Sequence, residues 1–380
     1  MSSPRSQDIE LGQSIVAGDL LLPRLVVRQT ALERNIDRMA RFCRDSEVWL
    51  APHAKTTMAP GILRRQLEAG VWGFTVATVV QAQTLRSLGV ERLLIANQVV
   101  EPRAITWLAD EMSRDDEFEA IVLVDSVRGV SILDSSLATL KPSRPLEVLI
   151  ELAEAGGRSG CRTDEEALRV ADAIRSAPHL QLVGVEGFEA MVPASQTDAF
   201  LQRLRGLIER LDRDGHFGGL AEVIVSAGTS ETFEKAAEQL SGWEIGRPVR
   251  TLLRPGGYAT YKIGPDYLPV LEIWAAVLSK PEPGRVIAGF GRRDVPSDAS
   301  FVTPTAAASN GVVRAVKAGV KVARLMDQHA IIEAGDAEVE VADLIGCSID
   351  NEFRPSFATW RQVPVVDDEY SVVEVLEILY

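Results

Sequence analysis

Cysteine and histidine are scarce: 380 residues contain three cysteines, Cys43, Cys161 and Cys347, and four histidines. Three widely spaced thiols, an odd number, build neither a disulfide framework nor a thiolate metal cage, so a reducing compartment, the cytoplasm, is expected. Positive charge is also in deficit. Against 54 Asp and Glu stand 40 Lys and Arg, giving a formal charge of −14 and an isoelectric point near 4.9. The summed field repels phosphate backbones and anionic lipid, so neither nucleic acid nor membrane is an expected partner. Long apolar runs are missing as well. No stretch approaches the ~20 residues that span a bilayer, and the N-terminal MSSPRSQDIELGQ has no apolar signal core. What remains is a globular composition, 46% hydrophobic and 25% charged, in a chain long enough for one large domain and a smaller one.

Short apolar runs punctuate the chain: RLVV (24–27), VWLA (48–51), GFTVAT (73–78), RLLIAN (92–97), AIVLVD (120–125), LEVLIELA (146–153), LQLVGVEGF (180–188) and EVIVSA (222–227). Rich in Val, Ile and Leu, with little period-two alternation, they read as strands buried on both faces of a parallel sheet. Between them ALERNIDRMARFC (31–43), TDEEALRVADAIRSA (163–177) and DAFLQRLRGLIERLDRD (198–214) place apolar residues at three- and four-residue steps, as amphipathic helices do. The alternation predicts an α/β fold, a TIM-like (β/α)8 barrel over residues 25–265, with a doubly wound open sheet as the alternative. After residue 265 the runs are β-branched and broken by PEPG and Asp-Asp, without long helical periods. Residues 266–380, with 1–24, are therefore expected to form a mostly antiparallel β domain.

The stretch VWLAPHAKTTMAP (48–60) sets Lys55 just past a strand, where a barrel gathers its functional groups. A desolvated amine there has a lowered pKa and suits a Schiff base with a carbonyl cofactor; a solvated loop lysine is the alternative. In EVIVSAGTSETFEKA (222–236) small residues, Gly228 among them, let backbone N–H groups approach a phosphate at a helix N-terminus. The hydroxyls of Ser226, Thr229 and Ser230 add donors, although a tight turn with a helix cap needs the same residues. In LLRPGGYATY (252–261) the pair Gly256–Gly257 precedes Tyr258 and forms either a tight turn or a second wall of a phosphate cup.

Taken in order, PHAKT, TVATVVQAQ, LIANQVV, LIELAEAGGRSGCRT, GVEGFEAM, SAGTSETF, RPGGYATY, PEPGRVIAGFGRRD and MDQHAII resemble one family. It is the D-serine dehydratase, D-threonine aldolase and amino-acid deaminase group of pyridoxal-phosphate (PLP) enzymes, in the alanine racemase-like class called fold type III. The resemblance runs from about residue 24 to the end. It implies a PLP-binding barrel, a C-terminal β domain, a small amino-acid substrate and a homodimer. Lys55 stands at the position of the cofactor-bonding lysine and His53 at the histidine two residues before it, with a catalytic role or a hydrogen bond to the strand end. Arg158 lies in the GGRSG segment that faces the cofactor, and Ser226, Gly228, Thr229, Gly257 and Tyr258 fall in the phosphate-binding segments. Gln98 in IANQ is either a ligand contact or a buried amide that satisfies backbone groups.

One segment departs from the family. Where relatives carry a metal-binding His-x-Cys pair in GDxVxFGISHPCTTFDKW, this chain has VADLIGCSIDNEFRPSFATW (341–360), which places Asn351 and Phe353, or Glu352 and Arg354, at the ligand positions. Cys347 lies too early and reads as a small buried hydrophobe. No family-type metal site, and no zinc, is expected. Expulsion of hydroxide then needs another acid, for which Glu352 and Arg354 are candidates, a solvated loop being the alternative. Met58 stands where many relatives have a second lysine. The expected activity is that of a PLP-dependent lyase or deaminase acting on β-hydroxy D-amino acids. A racemase, epimerase or aldolase on the same scaffold is the alternative. A non-catalytic PLP carrier is a third class, disfavoured by the extra β domain.

Overall fold

The computed structural model of the chain describes residues 9–295, 298–350 and 356–379. Strand β1 (Arg24–Arg28) and helix α1 (Gln29–Asp45) open it, and an alternation follows: β2 (Trp49–Leu50), α2 (Pro60–Glu68), β3 (Phe74–Val76), α3 (Val79–Ser87), β4 (Arg92–Gln98), α4 (Pro102–Arg114), β5 (Glu119–Val124) and α5 (Val127–Leu140). It continues through β6 (Leu146–Leu152), α6 (Asp164–Arg175), β7 (Leu180–Gly187), α7 (Thr197–Arg213), β8 (Val223–Ala227), α8 (Phe233–Leu240) and β9 (Val249–Leu253). The helices form for the reasons legible in their sequences. Leu32, Ile36, Met39 and Cys43 of α1 recur at helical spacing and are all buried. At the start of α6 the Thr163 hydroxyl accepts from Glu166 N–H while the Glu166 carboxylate accepts from Thr163 N–H, a capping box.

Eight strands pair in parallel in the order β2-β9-β8-β7-β6-β5-β4-β3. The two ends of that order nearly meet: Trp72 N–H donates to the Leu50 carbonyl at 2.8 Å, Thr75 N–H donates to that of Pro52 at 3.0 Å, and His53 bridges Thr75. The sheet is therefore a nearly closed barrel and not an open doubly wound sheet. Ala51, Leu94, Ile121, Leu149, Val183 and Ile224 belong to one buried cluster, so this barrel has a packed core.

Membership of the barrel differs from the sequence reading at one strand. RLVV, in β1, lies in the other sheet, and VRTLL of β9 takes its place. That other sheet is built mainly from β10 (Leu271–Glu282), β11 (Arg285–Ala288), β12 (Val302–Ser309), β13 (Val312–Ala315), β14 (Lys321–Leu325), β15 (Ala330–Glu333), β16 (Leu344–Ile349), β17 (Gln362–Val366) and β18 (Val372–Glu377). Its main path is β13-β12-β16-β10-β1-β17-β18, with β11, β15 and β14 branching from β10. Every pairing in it is antiparallel except β1 with β17. Trp274 and Tyr370 meet edge to face in its core, their rings 4.9 Å apart.

Internal contacts divide the chain accordingly. Met39–Lys55 and Leu67–Gly256 make the barrel unit; the described residues up to Arg38, Thr56–Gln66 and those from Gly257 onward make the other. Among the described residues no helix is long and apolar enough to cross a membrane.

Candidate active site

The C-terminal ends of parallel strands converge on one rim of a barrel, and the chain sets its polar groups there. His53 and Lys55 follow β2, Lys55 within the single 3-10 turn Ala54–Thr56. Gln98 ends β4, Glu151 lies near the end of β6, Glu186 near the end of β7, and Arg254 comes directly after β9. Arg158 sits on the loop after β6 with its guanidinium over the Phe188 ring, 5.0 Å from the centroid.

Lys55 is exposed, where the sequence reading allowed for a desolvated amine. Its charge nonetheless reaches His53. Burial of the imidazole, then the positive charges of Lys55, Arg254 and Arg158, hold His53 well below the usual imidazole range, and a hydrogen bond with the Thr75 backbone only partly offsets them. His53 is therefore neutral at neutral pH. That all three cations act on His53 places Lys55, Arg158 and Arg254 in its neighbourhood.

Opposite this cationic set lie three carboxylates, Glu151, Glu186 and Glu189, each at most 2% exposed. Gln98 donates its amide to Glu151 Oε2, and the Ser159 hydroxyl donates to Oε1 at 2.9 Å, so the amide of Gln98 serves a buried carboxylate. Glu186 forms a buried ion pair with Arg254, whose Nη2 also donates to the Gly187 carbonyl at 3.0 Å. Even so, burial pushes the Glu186 carboxyl up to about 7; Arg254 opposes the rise and the neighbouring Glu151 and Glu189 add to it. Glu186 Oε2, Glu189 Oε2 and Arg254 Nε are buried without a hydrogen-bond partner among the described residues.

The turn between β8 and α8 is built differently from the expectation. The Ser226 hydroxyl donates to the Leu252 carbonyl at 3.0 Å and is fully buried. Gly228 N–H and Thr229 N–H donate to Glu189 Oε1, and the Thr229 hydroxyl lies 2.8 Å from that of Thr232. Gly228 has φ +89°, and a Cβ there would lie 2.6 Å from Leu253 Cδ2, so glycine is required. The Gly257–Tyr258 segment belongs to the other unit. It forms a buried 3-10 turn in which the Tyr258 hydroxyl accepts from the Gln66 amide at 2.8 Å.

Glu352 and Arg354 lie outside the described residues. Cys347 is fully buried on β16, and burial raises its thiol pKa, as a packed apolar role requires. His179 pairs with Asp134 at 2.9 Å and His216 lies 2.6 Å from the Arg175 guanidinium, while His329 is exposed before β15. Among the described residues no group of three or more His, Cys, Asp or Glu side chains is arranged to hold a metal ion. Sequence reasoning missed Glu151, Glu186, Glu189 and Arg254. For Glu151 and Glu186 the available signal was a charged residue inside an apolar strand run, in LEVLIELA and LQLVGVEGF, since such residues are rarely buried without a purpose.

Residues 27–261 match the family model described as alanine racemase, N-terminal domain, and residues 270–366 match a putative serine dehydratase domain. Over 292 residues, 73% of each chain, the protein is 27% identical to D-threonine aldolase of Arthrobacter sp.. Over 149 residues, 39% of this chain and 38% of the relative, it is 28% identical to D-threo-3-hydroxyaspartate dehydratase of Delftia sp. strain HT23. Among solved structures, D-threonine aldolase from Filomicrobium marinum superposes with a TM-score of 0.80 at 23% identity, covering 100% of this chain and 98% of that one. The Delftia dehydratase gives 0.75 at 20% identity, covering 97% and 100%. These low identities carry the fold, and the family models carry the kinship. With one model spanning the barrel strands and a second following in order over most of the other sheet, the chain belongs to the alanine racemase-like, fold-type III family of pyridoxal-phosphate enzymes.

Proposed function

We propose that the protein is a PLP-dependent lyase that acts on β-hydroxy D-amino acids, resembling D-serine or D-threonine, without the zinc site that the family resemblance implies. The observation that carries this reading is an exposed amine, Lys55, beside a neutral imidazole, His53, at one strand end of a barrel rim that also presents Arg158 and Arg254. The residues fit the cofactor. Lys55 is accessible to an aldehyde, the turn before α8 holds an anionic oxygen already, and buried polar atoms of Glu186 and Arg254 lack partners among the described residues.

Lys55 would hold the aldehyde covalently, and Ser226–Ser230 would lie beside the phosphate. Once bound, PLP withdraws electrons from Cα of an amino acid, and the protein decides which bond breaks and manages the protons. Neutral His53 accepts a proton and, as a weak base, returns it readily. Arg158 presents a cation at the rim where an amino acid's carboxylate enters. Kinship to an aldolase and a dehydratase, both named for D-amino acids, supports a lyase. The absence of His-x-Cys from residues 341–360 supports a zinc-independent course. A homodimer in the cytoplasm completes the reading, the latter on the strength of three unpaired, buried cysteines.

Borohydride reduction of the purified protein, followed by mass spectrometry, is expected to place the PLP adduct on Lys55; an adduct on another lysine overturns the assignment. A screen of D- and L-amino acids that follows keto acid, aldehyde and enantiomer together is expected to yield keto acid or aldehyde from D-β-hydroxy substrates. Loss of optical activity with neither product makes the protein a racemase. Activity is expected to survive prolonged EDTA treatment, and a stoichiometric metal whose removal abolishes turnover defeats the zinc-independent course.

A further inference from the structure

The turn that precedes α8 already holds an anion, and that anion is part of the protein. Gly228 N–H, at 2.9 Å, and Thr229 N–H, at 2.8 Å, both donate to Glu189 Oε1, and the Thr232 hydroxyl donates to the same oxygen. Glu189 is 1% exposed, so its carboxylate has exchanged water for these donors, which are charge-assisted and correspondingly strong. Oε2 has no partner among the described residues, so the hydrogen bonds found for this carboxylate all reach the turn through one oxygen.

The turn itself is held in a conformation that few residues adopt. Gly228 sits at φ +89°, its carbonyl accepts from Arg254 N–H at 3.0 Å, and Thr229 N–H is shared with the Thr232 hydroxyl at 3.1 Å. Arg254 thus fixes the carbonyl side and Glu189 the N–H side. Without Glu189, Gly228 N–H would face a buried space with no acceptor and Thr229 N–H would keep only the Thr232 hydroxyl, and the turn would rearrange to find an acceptor.

We propose that Glu189 is the positioning residue of the phosphate-binding turn. It occupies the inner N–H pair, sets the turn before the cofactor arrives, and leaves the phosphate to bind what the turn presents outward instead of the Gly228 and Thr229 N–H groups. This rests on the cofactor reading above, and the test separates the two. The full-length protein, freed of cofactor, is titrated with PLP and with pyridoxal, which lacks the phosphate, for wild type, Glu189→Gln and Glu189→Ala.

Glu189→Ala is expected to weaken PLP tenfold or more and to leave pyridoxal within twofold. Glu189→Gln, which keeps a carbonyl oxygen as acceptor, is expected to stay within threefold of wild type for PLP. The phosphorus NMR signal of bound PLP is expected to move in Glu189→Ala only. Should Glu189→Ala fail to fold, Glu189→Asp, which draws the oxygen back by one methylene, is expected to show the same selective loss. Equal losses for PLP and pyridoxal, or no loss for either, overturn the proposal. A wild-type protein that binds pyridoxal and PLP alike overturns the phosphate role of this turn; one that binds neither overturns the cofactor reading, and this inference with it.

Discussion

The two ends of the parallel barrel carry charge in opposite ways. At the N-terminal end Arg92 of β4 meets Glu119 of β5 at 3.0 Å, and Arg250 of β9 meets Glu222, just before β8, at 2.8 Å, with side chains 38–48% exposed. The same arginines lie over Trp72 and Trp49, whose rings stack 6.0 Å apart. At the C-terminal end Glu151, Glu186 and Glu189 are buried, Arg254 is buried with them, and three of their polar atoms lack partners among the described residues. Exposed pairs of the first kind contribute about 0–1 kcal/mol and cost little to keep. Burying an ion costs several kcal/mol unless its partners are complete. A chain folding for stability alone would not concentrate that cost at one rim, and the contrast supports the proposal that the chemistry takes place there.

The sharpest way to break the contrast is Lys55→Ala. The side chain is exposed, so stability should change by less than about 0.5 kcal/mol, while turnover should fall by about a thousandfold or more, equivalent to roughly 4 kcal/mol of transition-state stabilisation. Paired measurements of turnover and denaturant midpoint check this. A variant that turns over within tenfold of wild type removes Lys55 from the chemistry.

Glu186→Gln tests the cost of the buried charge. The folded carboxyl titrates near 7, against an ordinary value of 4.5, so between those values the folded chain holds a proton that the unfolded chain has released. Stability from this group therefore falls as pH rises from about 4.5 to about 7, by roughly 3 kcal/mol across the window, and stays low above it. In Glu186→Gln that slope should vanish, whatever happens to the absolute stability when Arg254 loses its charged partner. Unfolding curves at four pH values decide it, and an unchanged slope means that another group titrates.

How much of this was legible in the sequence depends on where each partner lies. Runs such as AIVLVD and LEVLIELA announce parallel strands because burial on both faces demands unbroken apolar residues. RLVV misleads for the same reason: β1 lies inside a sheet between β10 and β17, and its three central residues are fully buried. VRTLL of β9 went unread because Arg250 and Thr251 interrupt it. Lys55 and His53 are local features of one turn and could be read there. Glu189 could not, because its meaning comes from N–H groups 39 and 40 residues later, brought together only by the pairing of β7 with β8.

Gly228→Val strains the rim through the backbone. A β-branched residue at φ +89° costs about 1–3 kcal/mol, and its Cβ at 2.6 Å from Leu253 Cδ2 adds a clash with the barrel core. The denaturant midpoint should fall accordingly, and PLP affinity should fall with it, because the same turn is Glu189's only set of donors among the described residues. Retained PLP affinity in a destabilised variant would move the phosphate away from this turn.

The smallest effect belongs to the other end of the barrel. Arg92→Ala removes an exposed guanidinium from Glu119 and from the face of Trp72, and each contact contributes at most about 1 kcal/mol at such exposure. One consequence is specific to the place. Burial, with Glu119 as a second cause, raises the pKa of the neighbouring Glu147, so stripping Glu119 of its cation should raise it further. The variant should then lose a little stability once pH exceeds the raised pKa of Glu147, and almost none below the ordinary value of 4.5, where Glu147 is protonated whether the chain is folded or not. Turnover should be unchanged, since Arg92 and Glu119 begin their strands, at the opposite end from the rim of Lys55. Unfolding at two pH values with a parallel assay measures both, and a loss of turnover as large as that of Lys55→Ala would erase the distinction between the two ends.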